Sequence, residues 1–237
     1  MRLKNTISII IPVWNEANNL KELLPLLIEA KRQNIPEVLV IDGGSTDESI
    51  AIAKRYNAKV LSSTVKSRAV QLNLGAKHAS GEILFLIHAD TRPLASFKED
   101  ILLEISNKNE AGCYRYKFDS SSKMLKINSW FTRFNGFFSG GGDQTLFITT
   151  QLFNRLGGYD ERFSIMEDFD LVRRIKRVTS FKVIPKSIKV SARKYESNSW
   201  PRVQLANSIA MLAFYFNSDP EKIKGLYSKL LNFNIQK

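Results

Sequence analysis

The sequence lacks the features that mark several large classes of protein. Cys113 is its only cysteine among 237 residues, which excludes an internal disulfide and a cysteine-rich metal site and is typical of a reducing compartment. No segment approaches the roughly 20 apolar residues that span a bilayer. The first apolar run, ISIIIPV, is too short for the core and cleavage site of a signal peptide. We therefore expect a cytoplasmic globular protein, in keeping with its 43% of hydrophobic residues.

A glycine-rich turn is also missing after the first apolar run. The turn reads PVWNEAN rather than G-x-G-x-x-G, which counts heavily against a nicotinamide-dependent oxidoreductase. A nucleotidyltransferase that forms sugar nucleotides remains an alternative, although the Gly-rich, Arg-containing loop that it would need after this strand is lacking too.

Acidic residues are absent from one long stretch of a basic chain. The sequence has 35 Lys and Arg against 23 Asp and Glu, a net charge of +12, and residues 173–194 hold nine Lys and Arg without any Asp or Glu. Such a run usually forms a solvated face, but it also suits phosphate, nucleic acid or an anionic membrane. A basic module that binds nucleic acid or a membrane surface is therefore the non-enzymatic alternative. We expect no nucleic-acid partner, because no aromatic and basic motif accompanies the charge.

The apolar pattern indicates an α/β fold. It predicts strands over 7–13, 38–41, 58–62, 82–87, 112–118 and 145–149. It predicts helices around 20–28, 47–56, 66–78, 124–138, 150–156 and 167–178. Strands that alternate with helices in this way favour a mostly parallel sheet. Such sheets bind ligands beyond the carboxyl ends of their strands, so the residues there are the candidates for function.

The second and fourth predicted strands each end near an aspartate. Asp42 follows VLVI, and Gly43 and Gly44 would let a base or ribose approach the backbone closely. A tight turn with a helix N-cap at Ser45 or Thr46 is the structural alternative. His88 and Asp90 follow EILFLI, and strand alternation would place both on one side of the chain. A carboxylate with a nearby imidazole could hold a divalent ion on a diphosphate, whereas a hydrogen-bonded turn is the default explanation.

Three further segments could contribute side chains. SRAVQLNLGA places Arg68, Gln71 and Gly75 at helical spacing with Asn73 nearby, although a plain surface helix would look the same. The loop over 140–143 is either a flexible connection or a wall for a sugar hydroxyl. The acids that open the helix at 167–178 either suit the helix dipole or include a general base.

Taken in order, PVWNE, DGGSTD, HADT, GGGD and EDFDL resemble the motifs of family 2 glycosyltransferases with the GT-A fold, over about residues 6 to 178. SRAVQLNLGA, HADT and the C-terminal segment beginning SARKYE are similar to a small bacterial subgroup associated with radical-SAM and selenodomain proteins. The resemblance implies a Rossmann-like GT-A domain over 1–195, with a nucleotide-binding half (1–95) and an acceptor half (96–195). A helical extension over 196–237 would pack on this core or on a membrane surface.

The resemblance also implies an activity, namely inverting transfer of a sugar from a UDP- or GDP-sugar to a hydroxyl acceptor with Mg²⁺ or Mn²⁺. The implied nucleotide site comprises Pro12, Val13, Trp14, Asn15, Glu16, Asp42, Gly44, Arg68, His88, Ala89 and Asp90. Asp90, with His88 as a further candidate, would hold the metal. The implied donor-sugar and acceptor side comprises Gly141, Gly142, Asp143 and Glu167, with Asp168 as the catalytic base. Arg193 and Lys194 are candidates for the diphosphate.

One departure from the family pattern affects the metal. Many members carry a carboxylate where this chain has His88, which leaves Asp90 as the only hard-oxygen ligand of the pair. Metal affinity would then be weak, or His88 would contact the phosphate or the sugar instead.

The last question left open is the apolar stretch 203–216, VQLANSIAMLAFYF. We expect it to pack on the core, with an interfacial helix on the inner face of the plasma membrane as the alternative for a lipid-linked acceptor. A homodimer also stays open.

Overall fold

The computed structural model describes residues 6–31, 37–136 and 144–231. Within these residues the strands are β1 (Ile7–Val13), β2 (Glu37–Asp42), β3 (Lys59–Ser62), β4 (Ile83–Leu86), β5 (Thr91–Arg92), β6 (Ala111–Phe118), β7 (Leu146–Thr149) and β8 (Lys182–Val190). The helices are α1 (Ala17–Lys31), α2 (Ser49–Arg55), α3 (Arg68–His78), α4 (Phe97–Ser106), α5 (Lys123–Phe131), α6 (Thr150–Arg155), α7 (Glu167–Val178), α8 (Trp200–Tyr215) and α9 (Pro220–Leu230). A short 3-10 turn covers Arg193–Tyr195.

All the strands belong to one sheet in the order β3-β2-β1-β4-β7-β6-β8-β5. β1, β2, β3 and β4 are mutually parallel, whereas β7 runs against β4 and β6, and β5 runs against β8. The predicted α/β fold with a mostly parallel sheet is confirmed. Beyond β1 the chain order reverses, since β2 lies on one side of β1 and β4 on the other. A crevice is expected at the carboxyl ends of these strands.

The sheet is covered on both faces, which explains the near-continuous apolar sequence of β1. Ile9 and Ile11 pack with α1 on one face, and Ile10 packs with α3 on the other. All three side chains are fully buried, and each contributes roughly 1.5–3 kcal/mol relative to an exposed position. The centre of the sheet is thus a rigid platform for the loops at its carboxyl edge.

The structure adds three elements that were not predicted and shortens one helix. β8 lies inside the basic run, and Pro185 lies at a shift in its register with β6 between the Tyr114 and Arg115 positions. A proline is tolerated there because a bulge needs no ladder hydrogen bond from it. The other two added elements are the two-residue strand β5 and the helix α4. The helix predicted over 124–138 ends at Phe131, and positions 137 and 138 lie outside the described residues.

Most of the basic run is neutralised by acids elsewhere in the fold. Six of its nine cations lie within 4.0 Å of a carboxylate. The pairs are Arg173 and Arg174 with Asp170, Lys182 with Glu104, Lys186 with Asp100, Lys189 with Asp119, and Arg193 with Glu16. The run is therefore distributed over α7, β8 and the turn after it, with partners for most of its charge.

The two C-terminal helices pack on the body of the protein. Met211 and Phe214 of α8 are buried in a cluster with Phe163, against which Met166 and Phe169 also pack. The outer face of α8 exposes other apolar side chains: Leu205, Leu212, Tyr215 and the following Phe216. No helix in the described part of the chain has the length and apolarity that crossing a bilayer requires.

Candidate active site

The loops that follow β1 and β2 are joined by side-chain hydrogen bonds. Asn15 has a left-handed φ of 52°. Its backbone amide donates to Ser45 Oγ at 2.9 Å, and its side-chain Oδ1 accepts from the Thr46 amide at 2.8 Å. Asp47 accepts from the amides of Ala17 and Ser49 at 3.0 and 2.9 Å. The predicted cap at Ser45 or Thr46 is therefore wrong, because Asp47 supplies the oxygens for the first residues of α1 and α2.

Asp42 is buried at the end of β2, with 3% of its surface exposed. Its carboxylate accepts from the Gly44 amide at 3.0 Å and from the Ser45 amide at 3.1 Å. Gly44 has φ of +90°, which a side chain would strain. The carboxylate thus holds the tight turn, a structural role for Asp42 that was not predicted. A carboxylate has about four acceptor positions, so a contact with a nucleobase stays a prediction.

Helix α3 holds the ends of β1 and β2 together. The buried amide of Gln71 donates to the carbonyl of Val13 at 2.9 Å and to that of Ile41 at 2.7 Å. Close packing makes this reach possible, since a Cβ on Gly75 would lie 2.4 Å from Ile10 Cγ2. The interpretation of this segment as a plain surface helix is therefore wrong on the side that faces the sheet.

Trp14 carries a cation on its ring at the end of β1. The Nζ atom of Lys66 lies 3.0 Å from the ring centroid, and burial lowers the pKa of the Lys66 ammonium. Contacts of this kind contribute on the order of 0.5–1 kcal/mol at exposed sites. Lys66 was not singled out from the sequence, which gives no local signal for a contact between residues so far apart.

His88 and Asp90 lie in a turn rather than on a strand. β4 ends at Leu86, and the Thr91 amide donates to the His88 carbonyl at 3.1 Å. The argument from strand alternation therefore does not apply, and the two side chains belong to adjoining parts of the crevice. His88 lines a cavity with Asp168, whereas Asp90 lies near Arg193.

Arg193 brings the C-terminal part of the chain back to the strand ends. Its guanidinium donates to Glu16 at 2.9 Å. The hydrogen bond to Glu16, together with the charges of Glu16 and Asp90, raises the pKa of Arg193 above its ordinary value. Lys194 is directed elsewhere, donating to Asn207 at 3.2 Å and to the Tyr227 hydroxyl. Of the two diphosphate candidates, Arg193 thus lies close enough to Asp90 for their charges to interact.

The donor set suits a metal shared with a ligand. Within residues 6–31, 37–136 and 144–231 no group of three or more His, Cys, Asp or Glu could enclose an ion. A hard divalent ion on a diphosphate needs few protein ligands, because phosphate and water oxygens complete its shell. Asp90 is the carboxylate that could serve in such an arrangement, with His88 as the further candidate.

A second set of side chains surrounds the start of α7. The Arg68 guanidinium donates to Glu167 at 3.0 Å and lies 4.0 Å from an Asp168 oxygen. Burial, with the charges of Asp168 and Glu167, raises the pKa of the Tyr159 hydroxyl near these acids. Glu167 and Asp168 are both buried, and Met166 before them has a left-handed φ of 70°. The dipole of α7 favours these acids, while their specific partners fix each one separately.

Asp168 and His88 open to one cavity. Its lining also includes Leu72, Leu86, Ile87, Gln144, Leu146 and Tyr159. Neither Tyr159 nor Gln144 was predicted from the sequence as a site residue. The GGYDE turn before α7 is a local signal that could have indicated Tyr159. The candidates Gly141, Gly142 and Asp143 lie outside the described residues.

Comparison with known proteins identifies the family. The chain matches Glycosyl transferase family 2 over residues 8–162, a segment that contains the ends of β1, β2 and β4. It is 29% identical over 193 residues to an uncharacterized glycosyltransferase of Rickettsia prowazekii, covering 73% of this chain and 59% of that one. It is 27% identical over 128 residues to the glycosyltransferase GlyG of Streptococcus pneumoniae, covering 50% and 42%. The chain thus spans about three fifths of the Rickettsia relative.

Solved structures show the same fold. A mannosyltransferase from Pyrobaculum calidifontis in complex with GDP-Man and Mn²⁺ superposes with a TM-score of 0.71 at 18% identity, over 94% of this chain and 68% of that one. TarS of S. aureus with UDP-GlcNAc gives 0.64 at 19% identity, over 96% and 72%. These likenesses establish the GT-A-like architecture. The sequence match and the strand-end geometry together show that the chain belongs to glycosyltransferase family 2.

Proposed function

We propose that this chain is an inverting glycosyltransferase that moves a sugar from a UDP- or GDP-sugar to a hydroxyl acceptor, with Asp168 as general base. The observation that carries the proposal is the cavity shared by Asp168 and His88. Because Asp90 follows His88 by two residues, the candidate base and the candidate diphosphate site face one crevice at the sheet's carboxyl edge.

The chemistry follows from these positions. Asp168 takes the proton of the acceptor hydroxyl as its oxygen attacks the anomeric carbon. The bond from that carbon to the diphosphate oxygen breaks, and the nucleoside diphosphate leaves with the electron pair. Attack opposite the leaving group inverts the anomeric configuration. General-base catalysis of this kind contributes about 10²–10⁴-fold to the rate.

Positive charge is needed where the diphosphate leaves. Asp90 and His88 would hold Mg²⁺ or Mn²⁺, which would supply that charge to the phosphate oxygens. Arg193, beside Asp90 and anchored by Glu16, is the protein cation best placed to assist. On the base side, Arg68 donates to Glu167, so its first role in this scheme is to fix the Glu167 carboxylate next to Asp168.

Asp168→Asn tests the base. We expect this variant to lose about 10²–10⁴-fold in turnover while donor binding stays near wild type. Binding is measured by thermal shift with a panel of UDP- and GDP-sugars and Mn²⁺, and turnover by release of nucleoside diphosphate. Asp119→Asn, a change at an exposed carboxylate, is the matched control. Equal losses of binding and turnover would show that Asp168 is structural. Full activity in EDTA would remove the metal from the scheme.

We further propose that the outer face of α8 contacts an anionic membrane surface, where a lipid-linked acceptor would be found. Leu205, Leu212 and Tyr215 are more than half exposed on one side of this helix, and Arg202 lies on its first turn. Flotation with anionic vesicles at low salt should recover the wild-type protein and not a Leu205→Ser, Leu212→Ser variant. Absence of flotation, or a dimer that this variant disrupts, would overturn the membrane assignment.

The finer placement in the radical-SAM- and selenodomain-associated subgroup also belongs to this proposal. Its support is the segment SRAVQLNLGA, in which Arg68, Gln71 and Asn73 each contact a different part of the site.

A further inference from the structure

Tyr159 and Asp168 are both buried and line the same cavity as His88. The Tyr159 side chain is 3% exposed, and its ring packs edge-on against Phe153 at a centroid distance of 5.9 Å. Burial, with the charges of Asp168 and Glu167, raises the pKa of Tyr159 well above its ordinary value. The phenol therefore keeps its proton and acts toward a carboxylate only as a hydrogen-bond donor.

Tyr159 is itself held by helix α3. Asn73 accepts from the Tyr159 amide at 2.8 Å and donates to the Tyr159 carbonyl at 2.9 Å. Gly158 has φ of +70°, and a Cβ there would lie 2.6 Å from Asn73 Oδ1. The glycine thus allows the turn to approach the helix closely enough for both hydrogen bonds. This arrangement fixes the backbone of Tyr159 relative to the sheet.

The neighbouring carboxylate is held by a different group. Arg68 donates to Glu167 at 3.0 Å, a full ångström closer than its approach to Asp168. Of the two adjacent acids, Glu167 is thus the hydrogen-bond partner of the guanidinium, while Asp168 shares its cavity with the phenol of Tyr159. A phenol directs a carboxylate without adding a positive charge to it.

We propose that Tyr159 is a positioning residue whose hydroxyl donates to the Asp168 carboxylate and holds it toward the cavity that both share with His88, with Asn73 fixing Tyr159 in turn. This inference rests on the proposed role of Asp168 as general base. A reacting group displaced by about 1 Å can lose on the order of 10²-fold in rate, so one hydrogen bond that fixes its rotation has a kinetic effect. Donor binding at the other end of the crevice does not depend on it.

Tyr159→Phe tests the proposal, and the chain offers a matched control. Tyr114 is also buried, and its hydroxyl donates to the Asp100 carboxylate at 3.1 Å near α4, outside the site. With UDP-GlcNAc or GDP-mannose and Mn²⁺, we expect Tyr159→Phe to lower kcat by about 10- to 100-fold and to leave the donor KM within about twofold. Tyr114→Phe should lower the unfolding midpoint similarly while leaving kcat unchanged. An unchanged kcat in Tyr159→Phe, or an equal fall in both variants, would overturn the proposal.

The Asp168→Asn variant distinguishes a failure of the positioning role of Tyr159 from a failure of the proposed function on which that role rests. Full turnover in Asp168→Asn refutes the general base. Loss of turnover in Asp168→Asn with normal turnover in Tyr159→Phe refutes only the positioning role. A urea double-mutant cycle needs no substrate, since a real contact makes the losses of Tyr159→Phe and Asp168→Asn non-additive. Strictly additive losses would overturn the proposal even before a donor is known.

Discussion

Replacing Gln71 by methionine should weaken the connection between the ends of β1 and β2, whose loops form the candidate nucleotide site. The Gln71 side chain donates two buried hydrogen bonds, to the carbonyls of Val13 and Ile41. Methionine has a similar length and volume but no N–H donor. The substitution therefore removes the hydrogen bonds while leaving the packing of α3 nearly intact.

The expected loss in the free energy of unfolding is about 1–3 kcal/mol. Each buried hydrogen bond contributes roughly 0.5–1.5 kcal/mol net, and two are lost. A loss in the upper part of this range would require a carbonyl that is left without any hydrogen-bond donor. The Val13 carbonyl also accepts from the Gly43 amide at 2.8 Å, so it keeps one donor in the variant. Since Val13 precedes Trp14 and Ile41 precedes Asp42, nucleotide binding should weaken as well.

Urea unfolding at neutral pH measures the first effect, and thermal shift with UDP or GDP and Mn²⁺ measures the second. Gln151→Met is the matched control, because Gln151 is exposed on α6 and its replacement should change stability by less than about 0.5 kcal/mol. If Gln71→Met is as stable as the wild type, the strand ends do not depend on Gln71 and the reasoning is wrong.

Two further predictions concern single ionisable groups. Burial raises the pKa of the Cys113 thiol to about 12. A thiol reagent at pH 8 should therefore label the protein only after unfolding, because the thiolate is the reactive form. Rapid labelling of the native protein would contradict this prediction. For Asp47, burial opposes ionisation, but hydrogen bonds from Ser49 and the Ala17 amide outweigh it and hold the pKa below its ordinary 3.8. Asp47→Ala should therefore cost about 1 kcal/mol at pH 7. The stability difference between Asp47→Ala and the wild type should shrink as the pH falls below 3.8, because Asp47 then becomes protonated in the folded protein. Urea unfolding at pH 7 and pH 2 measures this difference, and an equal cost at both pH values would exclude a role for the charge.

The strand ends could be located from the sequence, but their contacts could not. Apolar runs of the right length placed Asp42 and Asp90 after β2 and β4, since a buried parallel strand needs apolar residues at nearly every position. The same pattern carries no information on which polar atoms meet across loops. Asn15, for example, lies in the loop after β1, and only the structure shows that it bonds to Ser45 and Thr46 in the loop after β2.

The basic run shows a second limit. Its nine cations predicted a solvated face or an anion site, because a sequence shows only the charges that are neighbours along the chain. Folding brings Glu104, Asp100 and Asp119 beside Lys182, Lys186 and Lys189. Four of the nine cations, these three and Arg193, are thus paired with acids on elements that are far apart from them in the sequence.

By itself, the sequence determined the parallel part of the sheet, the candidate edge for ligands and the family motifs in their order, because all three depend on local periodicity and local residue types. Tertiary structure alone decided that Arg193 pairs with Glu16, that Lys194 bonds to Asn207 and Tyr227, and that Tyr159 shares a cavity with Asp168. These contacts join parts of the chain that only the packing of α3, α7 and the C-terminal segment against one sheet brings together. Side-chain direction in such loops is fixed by neighbours from other elements, which the linear order does not encode.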